Sequence, residues 1–475
     1  MTSTAENTST FDLVVIGGGP GGYAAALYGA AAGLHVAIVE KDLLGGTCLH
    51  RGCVPAKAFL ETASVWRTVS AAAQFGIESG ESSVQFSISQ ARKQAVVASL
   101  FKGLSTLIRH RNITVISGTG RLLGERVVEI VAGDDVGQTL TAPSVILASG
   151  SSPRVLSELD VDGKLVVTSD QFLELETLPA SAAVIGGGAI GCEFASLLSD
   201  LGVETTIVEG LDSILDACDS DVKALMTRSF KKRKIQMITS AIVQRHEPSA
   251  DGRSTTLFIE NQAPLTVEMI VVSVGRQPNT LDVVANDVAL LMNDSGFVVC
   301  DETTATSVPG VYAVGDIVAG SPQLAHVGFA EAIVAVKTIL GESVQAIDYS
   351  KVPWAIYSHP EVAFAGLTEA QAIEQGFDIV VQRDPFGGNS RAHILGEIQG
   401  MVKIIAERNA DGSAGKILGV HMVGPWVTEQ LGAGYYAVNL DAGVGDVALF
   451  LQPHPSLSET FGETLLALTG RGLHS

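Results

Sequence analysis

The sequence predicts an α/β chain: two Rossmann-like βαβ domains and a C-terminal α+β domain. Three observations predict it. One glycine-rich cassette occurs twice, each copy flanked by apolar strand patterns. Around the copies the chain mixes short apolar runs with stretches of helical spacing. After about Asp348 the pattern changes to strands over 351–356, 401–405 and 415–423, with helices late in the segment.

In the first cassette, V-V-I-G-G-G-P-G-G carries Gly17, Gly19 and Gly22. An Ala-rich helical pattern runs on to Gly33, and V-A-I-V-E ends at Glu40. In the second, A-V-I-G-G-G-A-I-G carries Gly186, Gly188 and Gly191. An apolar helical pattern runs on to Gly202, and T-T-I-V-E ends at Glu209. From first glycine to acid the spacing is 23 positions in both copies. The first glycine makes the tight turn, the second admits a pyrophosphate against the backbone, and the third lets helix and strand pack closely. The helix N-terminus offers free N–H groups and its positive dipole end to phosphate. The acid about 20 residues on accepts hydrogen bonds from a ribose. One such cassette is a weak signal. Two in register, each with strands, helix and acid in place, predict two dinucleotide sites.

The other elements follow. Residues 91–109 have helical spacing, and 114–130 and 257–268 read as antiparallel strands with polar turns. At roughly 150 residues per domain, 475 residues suggest about three domains. Boundaries are placed at 1–150, 151–275, 276–348 and 349–475, the first and third segments belonging together. Apolar residues at 46% and charged residues at 17% exclude a disordered chain. A net charge of −21 argues against nucleic acid and against an anionic membrane, whose phosphates it would repel. The apolar stretch 23–34 is too short and too rich in Ala and Gly to span a bilayer. The first ten residues lack the Lys and Arg that signal and transit peptides need. Five cysteines do not make a secreted disulfide framework. The expectation is a cytoplasmic protein without a metal site.

Shortly past Glu40 comes G-G-T-C-L-H-R-G-C-V-P-A-K, Gly45 to Lys57, with Cys48 and Cys53 five residues apart. In a regular helix that step puts the Cα atoms roughly 8–9 Å apart. A disulfide tolerates about 7 Å, so a bridge requires a broken turn. Gly45, Gly46, Gly52 and Pro55 supply the residues for one. Two independent, reduced cysteines are the other reading at this point. Near the C-terminus stands H-P-S-L-S-E, His454 to Glu459. Histidine has the pKa of a base at neutral pH, and a carboxylate can fix its tautomer. Pro455 keeps His454 out of helical geometry. The same segment matches an S-x-x-E capping box, so Glu459 has a purely structural reading too.

These motifs together resemble the class I flavoprotein disulfide reductases. G-G-T-C-L-x-x-G-C-x-P-x-K resembles their redox signature, and H-P-x-x-S-E their acid–base signature. I-L-A-S-G ending at Gly150, G-R-Q-P-N from Gly275, V-Y-A-V-G-D ending at Gly315 and Asp316, L-A-H at 324–326 and V-P-W-A-I-Y-S-H-P-E-V-A follow in family order. The resemblance covers nearly the whole chain after residue 10. It implies FAD on the first cassette, with Gly150, Gly315 and Asp316 completing that site, and a nicotinamide dinucleotide on the second, with Gly275 closing its domain. It implies a redox disulfide between Cys48 and Cys53. Cys48 is then the interchange thiol and Cys53 the flavin-facing thiolate, with Lys57 near the flavin and Glu193 of G-C-E-F paired to Lys57. It implies that His454 and Glu459 serve the other subunit, so that a homodimer shares two active sites. His50, Arg51 and Ala56 depart from the commoner signature, and Arg51 invites a role in tuning the thiols.

Within the family, Glu209 before Gly210 favours the free 2′-OH of NAD over the 2′-phosphate of NADP. No arginine stands between Glu209 and Asp216, and no cysteine pair follows Cys300. That points to the dihydrolipoamide dehydrogenase branch. It implies oxidation of protein-bound dihydrolipoamide by NAD through the disulfide and FAD. The partners would be lipoyl domains of 2-oxo acid dehydrogenase complexes or the glycine-cleavage lipoyl carrier. The alternative is an NADH-dependent reductase of another small disulfide or a quinone.

Overall fold

Leu13–Ile16, an apolar strand buried at every residue, is the middle of a five-stranded parallel sheet. Burial on both faces explains why its pattern is continuous rather than alternating. The order is Val311–Ala313, Ser144–Leu147, Leu13–Ile16, Val36–Glu40, Thr114–Ser117. A second five-stranded parallel sheet is built alike: Val166–Thr168, Met269–Val272, Ser181–Ile185, Glu204–Val208, Gln236–Ile238. The cassette helices Pro20–Ala31 and Ala189–Asp200 connect the central strand of each sheet to its neighbour. Each unit also carries antiparallel strands. These are Thr119–Leu122, Val127–Ala132 and Thr139–Thr141 in one, and Val243–Pro248, Thr255–Ile259 and Leu265–Val267 in the other. The duplication therefore extends from the cassettes to whole units. The structure, a computed structural model, describes residues 8–474; the polar N-terminal stretch begins outside them.

One expectation is corrected. Thr114–Ser117 is not antiparallel: it pairs parallel with Val36–Glu40 after the helix Phe86–His110. A helical crossover returns the chain to the starting end of the sheet, so the strand it feeds runs parallel. Antiparallel pairing begins only at Thr119. The two crossings between the units pair as a short antiparallel ribbon, Ser151–Pro153 with Arg276–Pro278.

The C-terminal part is a five-stranded antiparallel sheet in the order Trp354–Ile356, Glu361–Gly366, Ala414–Gly424, Met401–Arg408, Ile379–Pro385. Val427–Asn439 and Glu459–Leu468 bury their apolar faces in the core formed with it. Lys403 of this sheet has no exposed surface. Its Nζ lies 2.7 Å from Asp219, 2.6 Å from Asp221 and 2.6 Å from Glu369. Asp219 caps the helix Ser220–Lys232 of the second unit, so this cation ties that unit to the C-terminal sheet. Removing one partner from a buried ion cluster strands the others without compensation. Lys403→Met should therefore cost roughly 3–5 kcal/mol in urea denaturation; an unchanged midpoint would show that the cluster contributes nothing.

Candidate active site

The two cassettes fold alike down to single hydrogen bonds. Gly17 has φ +106° and Gly186 φ +102°. A Cβ at Gly17 would lie 2.2 Å from the Ala148 carbonyl oxygen; at Gly186 it would lie 2.4 Å from that of Ser273. Gly22 and Gly191 are each pressed against the first glycine's carbonyl, at 1.8 and 1.9 Å from a built Cβ. Glu40 accepts from the N–H of Gly18 (2.6 Å) and of Asp42 (2.8 Å). Glu209 accepts from Gly187 (2.5 Å) and Leu211 (2.8 Å) in the same way. Gly188, by contrast, meets nothing within 4 Å, and its φ of −72° suits any residue. Protein packing does not require a glycine there, whereas close approach of a dinucleotide does.

Gly150, Gly275 and Gly315 all have positive φ and open space where a Cβ would stand. Asp316 accepts from the Ser151 hydroxyl (2.5 Å), and Arg276 donates to the same hydroxyl (2.6 Å) and to the Ser151 carbonyl (2.7 Å). The ribbon joining the units thus ends on Asp316. Beneath this turn the Gly315 N–H donates to Glu331, which also accepts from Ser321 and Tyr349. Glu331 is fully buried, and burial raises its pKa.

The cysteine loop docks on the first cassette. The Gly45 N–H donates to Gly18 O (2.8 Å), and a Cβ on Gly46 would fall 2.7 Å from Gly19 Cα. The helix Gly46–His50 stops, and Cys53–Ser70 starts after Arg51 and Gly52, whose φ values are −137° and −143°. This is the broken turn that a Cys48–Cys53 bridge requires. The pair stands here as two thiols in side-chain contact. The Cys48 hydrogen bond, aided by the Lys57 ammonium, brings Cys53 down to about 7 against a burial effect of opposite sign. The same hydrogen bond and burial push Cys48 up. Of the two thiols, Cys53 is the one whose pKa is lowered. Arg51 pairs with Asp42, so the cation acting on Cys53 is Lys57.

Lys57 Nζ lies 2.9 Å from both oxygens of Glu193, which is buried in the second unit's cassette helix. Tyr357, from the C-terminal part, donates its N–H to Glu193 (2.9 Å) and sets its ring 4.8 Å from Lys57 Nζ. Cys53 is exposed and Lys57 half-buried.

His454 Nδ1 lies 2.8 Å from Glu459 Oε1, while Oε2 accepts the Ser456 N–H (2.7 Å). The helix starts at Glu459 behind Ser458, with no side-chain cap, so the capping-box expectation at Ser456 is not met; Glu459 instead takes the His454 imidazole on one oxygen and the Ser456 N–H on the other. The pair leaves imidazole Nε2 free to accept a proton, and His454 is 72% exposed. Among the described residues no hydrogen bond or ion pair joins this dyad to the cysteines of the same chain. Of the functional positions, Tyr357 and Glu331 escape sequence reasoning. A lone acid inside the apolar run A-E-A-I-V-A was the one available signal for Glu331.

The sequence pattern of the pyridine nucleotide-disulphide oxidoreductases matches residues 11–332, and that of their dimerisation domain matches residues 352–465. This chain belongs to that family. Its members use FAD and NAD, and the open glycines above fit such groups. A dihydrolipoyl dehydrogenase of Bacillus subtilis is 40% identical, with 98% of this chain and 99% of that protein covered. One from Chlamydia pneumoniae is 36% identical at the same coverage. The crystal structure of LpdA from Mycobacterium tuberculosis has a TM-score of 0.89 and 26% identity, covering 96% of this chain and 99% of that one. The contrast between Gly188 and Gly191 is directly testable. Gly188→Ala should leave thermal stability unchanged and weaken NAD binding roughly tenfold or more, read by titration calorimetry. Gly191→Ala should fail to fold that unit. Tight NAD binding by Gly188→Ala would remove the cassette reading.

Proposed function

We propose that this chain is a dihydrolipoamide dehydrogenase, oxidising protein-bound dihydrolipoamide to lipoamide with NAD as acceptor. The observation that supports it most is the pair Cys48 and Cys53 across a broken turn, with the Cys53 thiol lowered by its contact with Cys48 and by Lys57. The full-length likeness to dihydrolipoyl dehydrogenases points the same way. In this reading FAD occupies the first cassette with Gly150, Gly315 and Asp316, and NAD the second with Glu209. The domain limits at residues 150, 275 and 348 belong to the same proposal. FAD supplies the two-electron relay between dithiol and NAD. The enzyme works in the cytoplasm as a homodimer on lipoyl domains of 2-oxo acid dehydrogenase complexes or of glycine cleavage.

The chain's own residues account for the exchange. In the oxidised enzyme Cys48 and Cys53 are bridged. His454 of the partner subunit, its Nδ1–H held by Glu459, takes a proton from dihydrolipoamide at Nε2. The resulting thiolate attacks Cys48 Sγ, the S–S bond breaks, and Cys53 leaves as thiolate. A lower thiol pKa makes a better leaving group, so attack at Cys48 is the favoured direction. The second lipoyl thiol then attacks the mixed disulfide, closing the lipoamide ring and releasing Cys48 as a thiol. Lys57, held by Glu193, stabilises the Cys53 charge.

Purified enzyme should reduce NAD with dihydrolipoamide and leave glutathione disulfide, coenzyme A disulfide and quinones largely untouched. The reverse preference would replace this reading by an NADH-linked reductase. His454→Gln should lower turnover by roughly 10²–10⁴-fold. Mixed dimers of Cys48→Ser and His454→Gln chains should regain one working site, whereas a dyad acting within its own chain predicts none. Glu209→Arg should weaken NAD and favour NADP, measured as the ratio of kcat/KM values.

A further inference from the structure

The segment 357–360 lies along one stripe of the cassette helix Ala189–Asp200. Tyr357 N–H donates to Glu193, and His359 N–H to Ser196 Oγ (2.9 Å). Arg233 donates to His359 O, to Ser196 O and to Asp200. Glu193, Ser196 and Asp200 are spaced to share one helix face. The same stripe receives the cysteine helix, through Lys57 at Glu193 and Arg67 at Asp200. Tyr357 thus touches both members of the central ion pair. Its N–H holds the carboxylate, and its half-buried ring faces the ammonium. A ring face attracts a cation at this distance.

We propose that Tyr357 is a positioning residue of the redox centre, its ring holding the Lys57 ammonium where it acts on Cys53. The inference rests on the dithiol–disulfide reading above and adds a contribution from the C-terminal domain to its own chain's centre. The charged groups facing the site are few. Cys53 feels Cys48, Lys57 and Glu193, and Tyr23 of the first cassette helix feels both cysteines. Lys57 feels Glu193, Cys53 and Tyr357, and Tyr357 also feels Glu429 and Glu361. Without the ring, Lys57 keeps Glu193 but swings more freely, and its pull on the Cys53 thiolate weakens. The phenolic hydroxyl has no part in this arrangement, so phenylalanine should substitute for it.

The test is a pH titration of the two-electron-reduced holoenzyme. Its long-wavelength absorbance reports the Cys53 thiolate beside the flavin, and ultraviolet thiolate absorbance gives a second, flavin-independent record. The wild-type transition should centre near 7. Tyr357→Phe should match it. Tyr357→Leu should move it upward by about half to one pH unit, with an unchanged circular dichroism spectrum. Tyr357→Met serves the same purpose if the leucine variant does not fold. A transition that stays put in the leucine or methionine variant overturns the inference, as does a phenylalanine variant shifted equally far. A wild-type enzyme lacking the long-wavelength band at every pH would instead remove the redox-centre reading beneath it.

Discussion

The proposed redox centre depends on one buried carboxylate, Glu193. A charge taken out of water must be matched by donors or it destabilises the fold. Glu193, carried by its cassette helix, finds them in two other parts of the chain: the cysteine helix brings Lys57, and the C-terminal segment brings the Tyr357 N–H. None of these three can drift without leaving the carboxylate short of a partner. The electrostatic need of a single side chain thereby fixes how the nucleotide unit, the cysteine helix and the C-terminal domain sit against each other. The distal contacts of Asp200 with Arg67 and Arg233 extend the same stripe and hold the two helices in register.

Much of this was legible in sequence because its causes are local. A glycine at positive φ, an acid at a fixed spacing and a continuous apolar strand each leave their mark within about 25 residues, and the two cassettes fold as their spacing says. The break between Cys48 and Cys53 was equally readable, since Gly52 stands at the break and Pro55 is tolerated only in the first turn of the helix that follows. The direction of Thr114–Ser117 was not, because it depends on the crossover before the strand rather than on the strand's own residues. Tyr357 and Lys403 were missed for a related reason. Their partners lie far along the chain, at Lys57 and Asp219, and an isolated Tyr or Lys carries no local sign of what it will meet. Glu331 was missed although its partners are near in sequence, because no motif marks an acid that accepts from a turn N–H and two hydroxyls. His454 and Glu459 were readable as a pair, whereas the capping box read at Ser456 was not realised, because the helix starts three residues later, at Glu459.

The match between the two nucleotide units has a further implication. Glu40 and Glu209 each engage the N–H of their own glycine loop and of the residue two positions on. Each carboxylate thereby ties its glycine loop to the end of the following strand through contacts of the chain itself. The entropy lost in ordering these loops is charged to folding and not to the encounter. Loops held by the chain's own carboxylates leave less of their shape to be set by whatever they bind.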